Sequence, residues 1–234
     1  MKICIDPGHG IETAGKRSFD GSLLEYEFNF DVAHRLKKYL ELAGIKVVMT
    51  RDDEHDVSLA ERCRIANAAK ADIFISIHAN AFGTTWNGAR GWEAYVWKKG
   101  AQAEKIAEAI RSESMPLLGL IDRGVKEADF YVLKNTTMPA VLIEHGFYTN
   151  KEECALLKTS NFREKCAVAD AKGILKCAGK KFVESPKPIS KADAIAPEGK
   201  LYKVQVGAFK DKDNAQAMLD KLKKAGFDGF IKEE

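Results

Sequence analysis

Several protein classes are excluded by what this 234-residue chain lacks. Its five cysteines, Cys4, Cys63, Cys154, Cys166 and Cys177, are odd in number and contain no C-x-x-C pair. They therefore supply neither a disulfide framework nor a thiolate zinc site, and they read as buried thiols of a chain made in a reducing compartment. No run approaches the roughly 18 uninterrupted apolar residues of a membrane span. Met1–Ile5 leads into a polar turn rather than a basic-then-apolar leader. The expectation is a chain made in the cytoplasm without a signal peptide and with no membrane partner. Charge of one sign is also scarce: a formal net charge of +3 is too small to argue for nucleic acid and fits only a mild attraction to an acidic polymer. What is present is ordinary globular composition, 45% hydrophobic and 30% charged residues, which sets aside disordered and fibrous chains.

Proline is sparse until late in the chain. Pro186, Pro188 and Pro197 fall in a stretch with little apolar periodicity, so residues 179–200 are read as an extended linker. Before it, short apolar runs alternate with helical patterns. Lys2–Ile5, Ile45–Thr50, Asp72–Ile77, Trp92–Trp97, Phe130–Leu133 and Ala140–Glu144 are expected to be strands. Leu23–Ala43, Leu59–Ala69, Ala101–Leu117, Lys151–Leu157 and Asn161–Cys177 are expected to be helices. In the first helix Phe28, Val32, Leu36 and Leu40 recur at helical spacing. The near-continuous apolar strands at Lys2, Asp72 and Ala140 suit a sheet covered on both faces. The predicted fold of residues 1–178 is α/β, a mostly parallel sheet of about six strands with helices on both sides. In residues 201–234, Tyr202, Val204 and Val206 alternate as in a half-buried strand. Ala215, Met218, Leu219, Leu222 and Ala225 have amphipathic-helix spacing, Gly226 stops that helix, and Phe227–Ile231 forms a second short strand. This is a single β-α-β unit.

In open α/β sheets, sites gather at the carboxyl ends of strands. Those ends here carry Asp6-Pro7-Gly8-His9-Gly10, Ser76-Ile77-His78-Ala79-Asn80 and Glu144-His145-Gly146, and Glu25 stands near the start of the first helix. Two histidines and one glutamate form a hydrolytic zinc set, three protein ligands with a fourth position open to water, and a further carboxylate can move protons. His9, Glu25 and His78 are the ligand candidates and Glu144 the acid/base candidate, although spacing alone does not assign the two glutamates. Each residue also has a plain reading: histidines as hydrogen-bonded loop residues, Glu25 as a first-turn charge complementing the helix dipole, Gly8 and Gly10 as turn residues. Glu144 resists it, because a charge directly after Ala-Val-Leu-Ile is costly to bury without a partner. Cys4 is the one imaginable nucleophile, but no Cys/His arrangement accompanies it.

These segments resemble the zinc-dependent N-acetylmuramoyl-L-alanine amidases of the amidase-3 family. The matching motifs are D-P-G-H-G at Asp6–Gly10, E-x-x-x-N at Glu25–Asn29, Thr50-Arg51, L-x-x-R-x-x-x-A-N at Leu59–Asn67, S-I-H-A-N at Ser76–Asn80 and P-A-V-L-I-E-x-G-F-x-x-N at Pro139–Asn150. They occur in the family's order over roughly residues 2–176. The resemblance implies that His9, Glu25 and His78 bind Zn2+ and that Glu144 is the catalytic glutamate. It implies cleavage of the amide between N-acetylmuramic acid and the L-alanine of the stem peptide in peptidoglycan. Two departures stand out. The loop Ile11–Arg17 replaces a Gly/Asp/Pro-rich stretch and is a place where stem-peptide preference can change. His145 occupies a position where a small or amide residue is common, and a structural contact is expected of it. Arg51 and Arg62 are expected to brace the fold through ion pairs, and His34 and His55 to lie at the surface.

The tail resembles SPOR-type wall-binding modules through Leu201–Phe209, Asn214-Ala215 and Ala225-Gly226-Phe227. That resemblance implies binding to glycan strands. With one β-α-β unit where a full module has two, a homodimer through the C-terminal repeat is expected, since about 34 residues rarely hold a core alone. The rival functional reading is a non-catalytic wall-binding protein or activator on an amidase-like fold. The expected setting is cytoplasmic synthesis followed by access to the wall once the membrane is breached, by a holin or by mother-cell lysis.

Overall fold

A computed structural model of the chain describes residues 1–184, 206–224 and 230–231. Two compact units divide between Val183 and Glu184. In the first, the elements are β1 (Lys2–Pro7), α1 (Glu25–Leu42), β2 (Lys46–Met49), α2 (Leu59–Ala68), β3 (Ile73–Asn80), β4 (Trp92–Val96), α3 (Gln102–Leu118), β5 (Asp122–Glu127), α4 (Tyr131–Lys134), β6 (Ala140–Phe147), α5 (Lys151–Leu157) and α6 (Ser160–Cys177). They form a six-stranded sheet of order β2-β1-β3-β6-β4-β5. Every pairing is parallel except β4 with β6. The α/β fold with a mostly parallel six-stranded sheet is the expected one.

Alternation along the strands divides the core. Ile3, Ile5, Ile75, Ile77, Val141 and Ile143 point to one face, where α1, α3, α5 and α6 cover them. Cys4, Phe74, Ala140 and Leu142 point to the other, against Cys63 and Ala66 of α2 and Val132 and Leu133 of α4. Each fully buried Ile, Leu or Phe contributes about 1.5–3 kcal/mol relative to exposure, so both faces hold the sheet. In α1, Phe28, Val32, Leu36 and Leu40 are all buried, as their four-residue spacing dictates. Side-chain caps start three helices: Ser58 accepts from Glu61 N–H, Asn150 from Glu153 N–H and Thr159 from Phe162 N–H. Gly119, with φ of 66°, ends α3 in the left-handed conformation.

Two elements differ from expectation. Phe130–Leu133 is not a strand; Tyr131–Lys134 forms the short helix α4. Four apolar residues are too few for periodicity to separate strand from helix, and here Val132 and Leu133 are buried while Phe130 and Tyr131 stay half-exposed. The sixth strand is instead β5, Asp122–Glu127, a largely polar edge strand with only Val125 buried. An edge strand needs no apolar run, which explains why it is silent in the sequence.

In the second unit the described helix is α7 (Lys212–Lys224). Ala215, Met218, Leu219 and Leu222 are its half-buried positions among exposed neighbours, as the spacing predicts. The expected strand at Tyr202–Val206 lies outside the described residues except for Val206. The strand at Phe227–Ile231 lies outside them except for Phe230 and Ile231, and Gly226 is not described. No helix among the described residues is long and apolar enough to cross a membrane.

Candidate active site

The carboxyl ends of β1, β3 and β6 meet at one edge of the sheet. Parallel pairing places Asp6 beside Ser76 and His78 beside Glu144. The chain leaves β1 through Pro7-Gly8-His9, and His9 takes a left-handed backbone with φ of 60°, a conformation uncommon for a non-glycine residue and one that functional sites retain. Glu25, the first residue of α1, is 2% exposed. Its Oε2 lies 3.3 Å from His9 Nε2 and its Oε1 2.9 Å from His78 Nδ1. One ligand atom from each of the three residues lies within 4.8 Å of the other two, and the two imidazole rings stand edge to face at 5.0 Å. Tetrahedral zinc with bonds of about 2.0–2.1 Å needs donors only a little over 3 Å apart.

The donor set suits a metal in charge as well as spacing. Burial drives the His9 pKa down to about 4, which leaves a neutral ring with a lone pair to offer. Burial pushes Glu25 upward, but the hydrogen bond from His78 and the charges of His78, His9 and Lys16 outweigh it, so its carboxyl lies below its ordinary value. Glu144 goes the other way. Burial, then the neighbouring charges of Glu25 and Glu93, raise its carboxyl well above the usual range, with Lys16 opposing. Its Oε2 is buried without a hydrogen-bond partner. An orphaned buried carboxyl oxygen costs stability, so Glu144 Oε2 does not brace the fold.

The surrounding residues fix this geometry. Asp6, 1% exposed, accepts from Thr50 Oγ1, Ser76 Oγ and Arg62 Nη1, each at 2.6 Å. Arg62 also pairs with Asp56 at 2.7 Å and donates to the carbonyl of Pro7 at 2.7 Å, so it braces the fold by ion pairs as expected. The ion pair expected of Arg51 is absent among the described residues: it donates instead to the carbonyls of Pro7, Asp53 and Gly8 and lies over the Phe30 ring. Asn29 donates to the Gly8 carbonyl at 3.0 Å and to Glu25 at 3.3 Å. Gly8 admits no side chain, because a Cβ there would stand 2.1 Å from His78 Cε1. His145 lies on the opposite face of β6, fully buried, with Nε2 3.0 Å from Asp170 of α6, the structural contact expected of it. His34 pairs with Asp52 and His55 with Glu12, both in partly or fully exposed surroundings. Cys4 is buried and its thiol is pushed up to about 12 by burial, which leaves no thiolate for nucleophilic work.

Sequence reasoning did not single out Tyr148 and Glu93. Tyr148, four residues after Glu144, lines the cavity with Glu25, and burial, then the charges of Glu25 and Glu144, raise its pKa; its only sequence signal is a variable position of a matching motif. Glu93 pairs across strands with Glu144. It is satisfied by Asn80 at 2.6 Å, Tyr95 at 2.7 Å and Arg123 at 2.7 Å, and by Lys126. A cavity of about 520 Å³ opens over the cluster, and His9, Glu25, His78, Glu144 and Tyr148 line it.

An open α/β sheet with two histidines, a buried glutamate and a half-buried one in a cavity at its strand ends has the makings of a metal-dependent hydrolase. The N-acetylmuramoyl-L-alanine amidase family matches residues 3–176, and the chain belongs to that family. The SPOR domain matches residues 185–233. The sporulation-specific N-acetylmuramoyl-L-alanine amidase of Bacillus subtilis is 34% identical over 234 residues, covering 99% of this chain and 84% of that protein. The endolysin of Bacillus phage SPP1 is 36% identical over 179 residues, covering 74% of this chain and 64% of that protein. Among solved structures, the catalytic domain of CwlV, an N-acetylmuramoyl-L-alanine amidase from Bacillus (Paenibacillus) polymyxa, superposes with a TM-score of 0.71 at 33% identity, covering 77% of this chain and 99% of that one.

Proposed function

We infer that the chain is a peptidoglycan hydrolase that cuts the amide between N-acetylmuramic acid and the L-alanine of the stem peptide. Family membership over residues 3–176 carries this reading, and the presence of all four site residues favours it over a non-catalytic wall-binding role. His9, Glu25 and His78 are the proposed ligands of Zn2+; the carrying observation is the approach of three donors within 4.8 Å. Zinc, when bound, lowers the pKa of water toward neutrality and polarises a carbonyl. Glu144 is the proposed acid/base. Its half-buried carboxyl takes the proton of the attacking water and returns it to the departing alanine nitrogen. Glu25 is held in place by Asn29 and His78, and Gly8 keeps the His78 ring in position by leaving it room.

The proposed organisation is a catalytic domain over residues 1–178, a linker over 179–200 and a SPOR-like half module over 201–234. The half module is proposed to hold the enzyme on glycan strands, and two chains to pair through it as a homodimer. Equal monomer masses by light scattering for the intact chain and for one ending near Pro197 would refute that pairing. We also propose cytoplasmic synthesis and action on the wall after membrane breach. All five cysteines are free and four are buried, which suits a reducing compartment.

The site assignment is tested by metal analysis. The purified chain is expected to hold about one zinc per protomer, His9→Ala and His78→Ala to hold far less, and chelation to abolish amine release until zinc is restored. Full zinc content in both variants would show that the metal sits elsewhere.

A further inference from the structure

The cavity holds one cation that the proposed chemistry does not use. Its lining includes two basic residues, Arg62 and Lys16. Arg62 is committed to Asp6 and Asp56. Among the described residues, Lys16 has no ion-pair partner. It is exposed and lines the same cavity as Glu25 and Glu144. An unneutralised ammonium beside a carboxylate-rich cluster leaves its own charge to be met by whatever enters the cavity.

Lys16 is also held in place. Its carbonyl accepts the Glu25 N–H at 2.9 Å, so it sits directly beside the first turn of α1. The next residue, Arg17, bridges Leu24 in a short antiparallel contact. Ser18 N–H donates to the Leu23 carbonyl at 2.9 Å, and Asp20 closes the loop by accepting from Ser18 Oγ at 2.7 Å and Ser22 N–H at 3.0 Å. The backbone that carries Lys16 is thus a fixed platform, and only the side chain is free.

The cavity has a second character on its far side. Leu59 at the start of α2 and Phe130 and Tyr131 at the start of α4 also line it and are 54%, 40% and 46% exposed. Those two helices cover the sheet face opposite to α1. Apolar and aromatic surface suits the C–H faces of a sugar ring, and an unpaired ammonium suits a carboxylate. A substrate whose scissile amide joins a sugar to a peptide therefore has one sensible orientation here, with its glycan toward α2 and α4 and its peptide toward Lys16.

We propose that Lys16 is a specificity-determining residue that binds a free carboxylate of the stem peptide, so that stems with that carboxylate intact are preferred to stems in which it is amidated. The proposal rests on the amidase reading. The loop Ile11–Arg17, which departs from the commoner family pattern, is then where this chain sets its peptide preference.

The test uses the full chain and two soluble muramoyl peptides that differ only at the second residue, one with a free carboxylate and one with it amidated. The intact enzyme is expected to favour the carboxylate form by roughly two- to five-fold in kcat/KM, the range of an exposed charge pair, with the difference carried by KM and shrinking in high salt. Lys16→Met is expected to bring the two substrates level, and Lys16→Arg to restore most of the preference. A parallel binding titration with the two free stem peptides, which cannot turn over, should show the same ratio in Kd and the same loss in Lys16→Met. No discrimination by the intact chain, or discrimination that survives Lys16→Met, would overturn the proposal. So would an equal fall in kcat on both substrates, which places Lys16 at the reacting atoms. Failure of the amidase reading has a different signature: neither muramoyl peptide releases an amine, and the peptide titrations still decide the role of Lys16.

Discussion

Two glutamates in one cavity are pushed in opposite directions by their neighbours. Glu25 accepts from His78 and Asn29 and stays ionised, while Glu144 is half-buried with one buried, unpartnered oxygen and holds its proton more tightly. That contrast suits the proposed split into ligand and acid/base, and it predicts the outcome of Glu144→Gln. The variant should fold and bind zinc as the parent does but lose about 10²- to 10⁴-fold in kcat; amine release from muramoyl peptides, read beside zinc content, checks it. Substantial remaining turnover would mean that another group moves the proton. His9, Glu25, His78 and Glu144 were legible in the sequence because strand ends and motif order mark them. Spacing could not say which glutamate does which job, since that depends on burial and on hydrogen bonds from distant residues. Tyr148 and Glu93 were not legible for the same reason: Tyr148 comes to the site by lining the cavity with Glu25, and Glu93 by a cross-strand pairing with Glu144 that only the sheet order creates.

Among the elements, the turn after β1 carries the tightest constraints. Gly8→Ala would drive a methyl group into the His78 ring, with contacts of 2.1–2.6 Å to three ring atoms. It should cost roughly ten-fold or more in zinc affinity with far less effect on thermal stability, a split readable by metal titration and calorimetry. The same turn is anchored beneath by the buried Asp6–Arg62 pair. Burial favours the neutral acid at Asp6, but the Arg62 charge and the hydrogen bonds from Ser76, Thr50 and Arg62 prevail, so its carboxyl lies below the ordinary value. A carboxyl depressed in the folded state stabilises the fold above its unfolded value, near about 3.9, and that stability is lost as pH falls through the folded value. Asp6→Asn should therefore flatten the acid limb of stability measured by denaturant midpoints from neutral pH downward. Arg62→Met should cost about 3–5 kcal/mol at neutral pH, because it strands a buried carboxylate. Most strands and helices were legible from apolar periodicity. β5 and α4 were not: β5 is held by backbone pairing to β4 with little apolar surface, and α4 is a single turn whose four residues satisfy either period.

At the scale of the whole molecule, a family-matched hydrolase precedes a tail matched by the SPOR domain at residues 185–233. The amphipathic face of α7 was legible, whereas the strands proposed on either side of it fall largely outside the described residues. If the tail serves to hold the enzyme on glycan strands, a chain ending at Val183 should cleave small muramoyl peptides at close to the parent rate but bind and clear insoluble wall several-fold less well; pelleting with purified sacculi compares them. The central claim concerns which bond is cut. Mass spectrometry of wall digested by the zinc-loaded chain, with Glu144→Gln beside it, tests that most directly. The account predicts new L-alanine amino termini and intact N-acetylmuramic acid, both missing from the Glu144→Gln digest. Amino termini from within the stem peptide, new sugar reducing ends, or no new termini from the zinc-loaded parent would contradict it.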